Sequence, residues 1–288
     1  MHQNRKWLLT CIFLQLMTSF LGCQTYSQEV YFKKNTDVLG VWWWWVDPDK
    51  HAAHLDFAKR NGVNEIYYYT ARLNDRTGSF IEMAEKRNIK VFFLIEKYEY
   101  IWDYDSFSKL MDNFIVYQDS APENRKFAGL HFDIEPQEHP DFDENKLVFL
   151  QDYMDFVVWV CDNYRDVTTI DLDIAWWFDY NITYRGVTAR LYQALITEAD
   201  RVFVMSYKDT AEKTYDVAKE EIAFAKTSNK QIILGTETGN VDYEPNVSFY
   251  GKGTAYFYGE LQKLHKLVNY DNYGLSIHHI STWYAMKE

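Results

Sequence analysis

In the stretch Gly129-Leu130-His131-Phe132-Asp133-Ile134-Glu135-Pro136, ionisable and apolar residues alternate. Successive side chains of an extended strand point to opposite faces, so His131, Asp133 and Glu135 share one face while Leu130, Phe132 and Ile134 share the other. Two carboxyl groups this close suit general acid–base chemistry, because each disfavours ionisation of the other and so helps keep one protonated near neutral pH. Burying three such groups without a use is costly. Paired charges inside a fold are the plainer alternative.

Further groups of this kind close other runs. Glu237 ends Ile232-Ile233-Leu234-Gly235-Thr236-Glu237, and Met205-Ser206-Tyr207-Lys208-Asp209 sets a phenol beside a carboxylate. His278-His279 would send one imidazole inward and one outward, and the inward one, with Glu96, His131 or Asp133, has metal-ligating chemistry in principle. No CxxC or HExxH spacing is present, so neither a metal nor another cofactor is expected.

These residues need elements to position them. From Val38 onward, short β-rich runs alternate with helical patterns, the signature of a parallel sheet built from βα units. Candidate strands are Val38–Val46, Asn64–Thr70, Lys90–Glu96, Gly129–Glu135, Thr169–Trp177, Arg201–Tyr207, Gln231–Glu237 and Tyr273–Ile280. Apolar residues recur between them at helical spacing, as in Leu147, Leu150, Met154, Val157 and Cys161. The pattern predicts one (β/α)₈ TIM-type barrel over residues 38–288, its last helix short, missing or replaced by the segment Gln28–Asp37. Active sites of such barrels lie where strands end in βα loops, which is where the polar residues above fall.

With 288 residues, 47% hydrophobic and 25% charged, the chain can bury the core of one such domain. The formal charge of −12 disfavours a nucleic-acid partner. Aromatic residues make up 18%, and rings at the strand ends suit the apolar faces of sugars. Trp43, Trp45, Tyr69 and Glu96 end the first three strands and Trp176 or Trp177 the fifth; core packing is the ordinary use of each tryptophan.

Residues 1–22 have a basic start at Arg5 and Lys6 followed by an apolar run too short for a membrane span, the layout of an export signal. Phe20-Leu21-Gly22-Cys23 resembles a bacterial lipobox, which would make Cys23 an acylated mature N-terminus and residues 23–37 an N-terminal segment. An ordinary signal-peptidase site at Thr25-Tyr26-Ser27 is the competing route. The expectation is an exported protein, either a membrane-anchored lipoprotein or a periplasmic or secreted one. Oligomeric state is not legible.

The run Phe127-Ala128-Gly129-Leu130-His131-Phe132-Asp133-Ile134-Glu135-Pro136 resembles the fourth-strand signature of chitinase-type, family-18 glycoside hydrolases, F-D-G-x-D-x-D-x-E. Asp133 and Glu135 fall on its last Asp and its catalytic Glu; Ala128 and His131 replace the earlier aspartates. Met205-Ser206-Tyr207-Lys208-Asp209 is similar to that family's M-x-Y-D with one residue inserted, and Trp283 is placed like the tryptophan that floors its central sugar subsite. The resemblance implies that Glu135 protonates the glycosidic oxygen of an N-acetylhexosamine glycan while the substrate's acetamido group attacks the anomeric carbon, a recognised exception to the two-carboxylate scheme. Asp133 and Tyr207 would position that group. Trp283, Trp43, Trp45, Trp177, His131, Asp209 and Glu96 would line the carbohydrate site.

Two enzymatic alternatives and one binding alternative remain. In the other large barrel clan of retaining glycosidases an acid follows strand four and a nucleophile ends strand seven, places that Glu135 and Glu237 occupy, although Ile134 stands where that clan has Asn. A metal-dependent hydrolase of a non-sugar ester, and a barrel that binds glycans without cleaving them, are the others.

Overall fold

The computed structural model describes residues 38–241, 244 and 246–287. Cys23, the export signal and the segment Gln28–Asp37 lie outside the described residues. Eight parallel strands close into a barrel: β1 (Val38–Trp43), β2 (Glu65–Tyr69), β3 (Lys90–Ile95), β4 (Leu130–Phe132), β5 (Ile170–Ala175), then, after a hairpin of β6 (Asn181–Tyr184) and β7 (Val187–Arg190), β8 (Arg201–Met205), β9 (Gln231–Glu237) and β10 (Tyr273–His278). The last pairs with the first, Val38 opposite Gly274, so no barrel edge is left open. All eight expected strands are barrel strands. The hairpin was not expected.

Helices alternate with them: α1 (His51–Arg60), α2 (Asp75–Glu85), α3 (Tyr104–Ser120), α4 (Phe142–Tyr164), α5 (Leu191–Glu198), α6 (Ala211–Ser228), α7 (Thr254–Val268) and the short α8 (Ile280–Tyr284). Their ends follow local chemistry. Asn74 accepts from the Arg76 amide at 2.9 Å to start α2, Asp103 accepts from Ser106 at 3.0 Å to start α3, and Asn229, at φ 56°, ends α6 in the left-handed region.

Period-two alternation splits the core into an inner and an outer set. Val38, Trp42, Tyr67, Phe92, Leu94, Phe203 and Ile233 fill the barrel, while Val41, Trp43, Leu130, Phe132, Ile134 and Leu172 pack outward against the helices. At the N-terminal end of the barrel, Arg201 holds Asp171 at 2.5 Å and Glu65 at 2.9 Å and lies 4.8 Å from the Phe92 ring centroid. Removing one member of a buried cluster like this typically costs about 3–5 kcal/mol, because the remaining charge is stranded.

The hairpin turns on Arg185 and Gly186, at φ 46° and 83°, the two positive values a two-residue type I′ turn requires. Arg185 then reaches Asp162 at 2.8 Å on α4 and Glu198 at 3.0 Å on α5, and Tyr184 donates to Glu198 at 2.8 Å. These bonds tie the hairpin to the helix shell.

Candidate active site

The strand ends sort the aromatic candidates by parity. Gly40, Trp42 and Trp44 face inward, so Trp43 faces outward; it is wholly buried beside His51, His54 and Phe80, the last at a ring distance of 4.9 Å. Trp43 is therefore a shell residue and does not line the mouth. Trp45, 76% exposed, sits on the rim against Trp44 and Tyr69 at 5.3 and 5.2 Å. Trp283 also departs from expectation. It lies on α8, 1% exposed, with Phe57 at 5.0 Å and Phe257 at 6.4 Å, and so packs in the helix shell because the chain has already left β10 when it reaches this residue.

Asp209 is likewise not available to a ligand: Lys252 at 2.6 Å and Lys213 at 3.2 Å occupy its buried carboxylate. Trp177 lines a cavity of about 580 Å³ with Gln137, His139, Phe142 and Lys146, next to the loop that carries Glu135. Glu96 and Tyr69 line another of about 840 Å³ between the ends of β2 and β3 and helix α3.

The carboxyl groups cluster where β4 ends. Pro136 offers no N–H to continue a ladder, and after the Asp133 amide donates to Ile95 O at 2.9 Å the chain turns away, leaving Asp133 and Glu135 at the mouth. Deeper in the barrel, His131 is completely buried, stacked on Tyr67 at 4.0 Å. Its Nε2 lies 2.8 Å from Asp173 Oδ2, and the Trp42 indole donates to the same oxygen at 3.0 Å. Burial pushes the His131 imidazole down to about 3, outweighing Asp171 and Glu65, so the ring is neutral and donates through Nε2–H. This contact is a hydrogen bond between a neutral ring and an acid, not an ion pair.

Burial is also the main force on the acids. It raises Asp133, Glu135 and Asp173 well above the usual carboxylate range. Asp173 and Glu138 push Asp133 further up; Asp133, Glu138 and Asp173 do the same to Glu135, against a smaller opposing effect of His278. Glu135 accepts a hydrogen bond from the Gln137 side chain. Tyr207 is held as a neutral phenol by burial and by Asp133, Asp173, Glu237 and Glu135 around it. A Cβ at position 235 would come within 3.0 Å of the Tyr207 ring and 3.5 Å of Trp42, so glycine there gives both rings their places.

Glu237 ends β9 with both oxygens engaged: the Gly239 amide donates to one at 2.5 Å, and His278 Nδ1 lies 2.6 Å from the other. Thus Asp133, Glu135, Tyr207 and Glu237 gather at one end of the barrel, where acid–base chemistry on a ligand in the mouth is within their reach. Sequence reasoning overlooked Asp171, Asp173, Trp42 and Trp44. The alternation Ile170-Asp171-Leu172-Asp173-Ile174 carries the same signal as the β4 run and would have found the two aspartates.

No protein-family model matches the chain, and no curated protein matches it in sequence. Among solved structures the chain is similar to a chitinase from Chromobacterium violaceum, with a TM-score of 0.52 and 11% identity over 87% of this chain and 95% of that one. It is similar also to a GH18 chitinase from Cycas revoluta in complex with (GlcNAc)4, with a TM-score of 0.51 and 10% identity over 85% and 95% of the two chains. A Toxoplasma gondii protein assigned as a deoxyribose-phosphate aldolase matches to the same degree, with a TM-score of 0.51 and 11% identity over 92% and 95%. These likenesses establish the TIM-barrel fold, which glycoside hydrolases share with enzymes of other chemistry.

Proposed function

We propose that the protein is a glycoside hydrolase that cleaves N-acetylhexosamine-containing glycans with the substrate's own acetamido group as nucleophile. The observation that carries this reading is Glu135: a half-buried carboxyl at the C-terminal mouth, kept protonated by burial and by Asp133 two residues before it. Its proton passes to the glycosidic oxygen as the bond to the anomeric carbon breaks, while the acetamido oxygen bonds that carbon from the other side. Asp133 accepts the acetamido N–H and the Tyr207 hydroxyl donates to the acetamido oxygen, aligning the attack. Glu135, now a carboxylate, takes a proton from the water that opens the cyclic intermediate.

One observation favours a second reading. Glu237 is fixed by two donors at the end of β9, as a nucleophile in a double displacement would need to be. With both its oxygens already engaged, it serves the first reading better as an anchor for His278. Turnover of chromogenic N-acetylglucosaminides beside plain glucosides separates the two, since only substrate assistance requires the acetamido group; binding of glycans without cleavage of either would point to a lectin-like barrel.

We further propose that the protein is exported and anchored through an acylated Cys23, a reading that rests on the basic start, the apolar run and the lipobox-like Phe20-Leu21-Gly22-Cys23. Among the described residues no helix is long and apolar enough to cross a membrane. Wild type should fractionate with membranes and Cys23→Ser should not mature; a wholly soluble wild type would remove the anchor.

A further inference from the structure

Gln137 joins the acid to a space beside the barrel mouth. Its side-chain amide donates to the Glu135 carboxyl, and it also lines the cavity of about 580 Å³ walled by His139, Phe142, Lys146, Trp177 and Tyr180. That volume falls within the range of roughly 300–1,000 Å³ usual for small-ligand pockets. The path between the two is short: the Glu138 amide donates to Glu135 O at 3.0 Å and the Phe142 amide to His139 O at 2.9 Å, so the turn after Glu135 runs straight into α4, which bears Lys146.

The wall contributed by α4 and the end of β5 is aromatic around a single ammonium. Lys146 Nζ lies 5.5 Å from the Phe142 ring centroid, 5.8 Å from that of Tyr180 and 5.9 Å from that of Trp177. Ring faces attract a cation weakly where water has access, and they leave its three N–H donors to seek an oxygen. Its ion-pair partner, Asp143 Oδ1, stands 3.8 Å away, too far for a hydrogen bond, on a side chain 96% exposed. Glu138 also borders the cavity but stands toward Glu96 and Glu99, past the end of β3. A half-buried ammonium of this kind, set among rings, suits a ligand that presents an apolar ring face and a negative charge together.

The protein as a whole repels such a ligand, with a formal charge of −12. Long-range charge is screened over about 8–10 Å in physiological salt, whereas an ammonium–carboxylate hydrogen bond acts well inside that distance. The local contact therefore decides.

We propose that this cavity is a subsite for a carboxylate-bearing sugar adjoining the N-acetylhexosamine at which the glycan is cut, with Trp177 against the sugar's face and the Lys146 ammonium donating to its carboxylate. Lys146 is then a specificity-determining residue, and the substrate is an acidic glycan. The inference rests on the glycosidase reading for the position of the cut, though not for the recognition itself.

The test compares kcat/KM of the full chain on three tetrasaccharides: N-acetylglucosamine alone, N-acetylglucosamine alternating with glucuronic acid, and N-acetylglucosamine alternating with N-acetylmuramic acid. The uronate carries its carboxylate on the ring and the muramate on an ether arm, so the better of the two tells which reach the subsite accepts. Affinity for the same three is measured by calorimetry on Glu135→Gln. One acidic glycan should be preferred over the neutral one by about tenfold, the size of one charge-assisted hydrogen bond, in both readouts. Lys146→Met should abolish the preference, Lys146→Arg should keep most of it and Lys146→Glu should reverse it. Lys208, whose Nζ lies 5.3 Å from the Trp176 ring centroid outside the cavity, supplies the control: Lys208→Met removes the same charge and should keep the preference.

A wild type that does not distinguish acidic from neutral glycans, or a preference lost equally in Lys146→Met and Lys208→Met, would overturn the proposal, the second by tracing the effect to net charge. Preferential binding of an acidic glycan by a protein that cleaves none would leave the subsite standing and remove the hydrolase reading. Turnover of the neutral glycan with no preference would do the reverse.

Discussion

Trp44 Nε1 lies 3.1 Å from His278 Nε2, and since an indole nitrogen only donates, that imidazole nitrogen carries no proton. The ring proton is therefore on Nδ1, 2.6 Å from Glu237 Oε2. One half-buried tryptophan thus sets the tautomer of a histidine and, through it, the orientation of a carboxylate at the mouth. Trp44→Phe keeps the aromatic wall with Tyr69 and Trp45 but deletes the donor. Ring-nitrogen NMR of labelled histidine should show a single Nδ1–H form of His278 in wild type and a mixture in the variant; a single form in both would mean that Glu237 alone fixes the ring.

A second prediction concerns stability away from the site. Glu221 on α6 is 1% exposed, and neither carboxyl oxygen meets another side chain or a neighbouring donor. Burial first, then Asp179 and Glu220, pushes it from its ordinary 4.5 up to about 8, against its own backbone amide. The folded protein thus holds a proton that the unfolded chain releases. The sign follows: stability is full below about pH 4.5 and is lost progressively as pH rises toward 8. Glu221→Gln should be more stabilising at pH 8 than at pH 5, by on the order of 2 kcal/mol in urea unfolding. An equal effect at both pH values would mean that Glu221 is already ionised in the fold.

A third prediction separates the two enzymatic readings by inhibition and by pH. Substrate assistance passes through a cyclic, oxazoline-like species, so a stable analogue should bind at least about 10²-fold more tightly than the substrate. Activity should persist well above the usual carboxylate range, because Glu135 keeps its proton there, and should fall once that proton is lost. Weak binding of the analogue together with equal turnover of plain glucosides would transfer the nucleophile's role to Glu237.

The barrel was legible because parallel strands buried on both faces read as β-rich runs between amphipathic helices, and each of the eight expected runs overlaps a barrel strand. The hairpin was missed because its Arg185-Gly186 turn lacks the Asn-Gly or Asp-Gly pair that most clearly announces a type I′ turn. Within the site, the β4 acids were legible from alternation alone. The tryptophans were not, because four consecutive identical residues carry no alternation, and only the fold tells Trp42 and Trp44, which face inward, from Trp43, which does not. Trp283 was misplaced for a related reason: the chain turns into α8 directly after β10, and a position just past a strand does not fix which layer a side chain enters. The contacts that Trp42 and His131 make with Asp173 depend on register between strands, which no single run of residues contains.

The most direct measurement is turnover of an N-acetylglucosaminide by wild type and Glu135→Gln, with glycan affinity determined for both. The substitution preserves shape and hydrogen bonding to Gln137 while removing the transferable proton. General acid catalysis is typically worth about 10²- to 10⁴-fold, so kcat should fall by that order with affinity nearly unchanged. Wild-type turnover retained in Glu135→Gln would contradict the assignment of Glu135 as the acid and direct the search to Glu96, Glu237 and the His278-His279 pair.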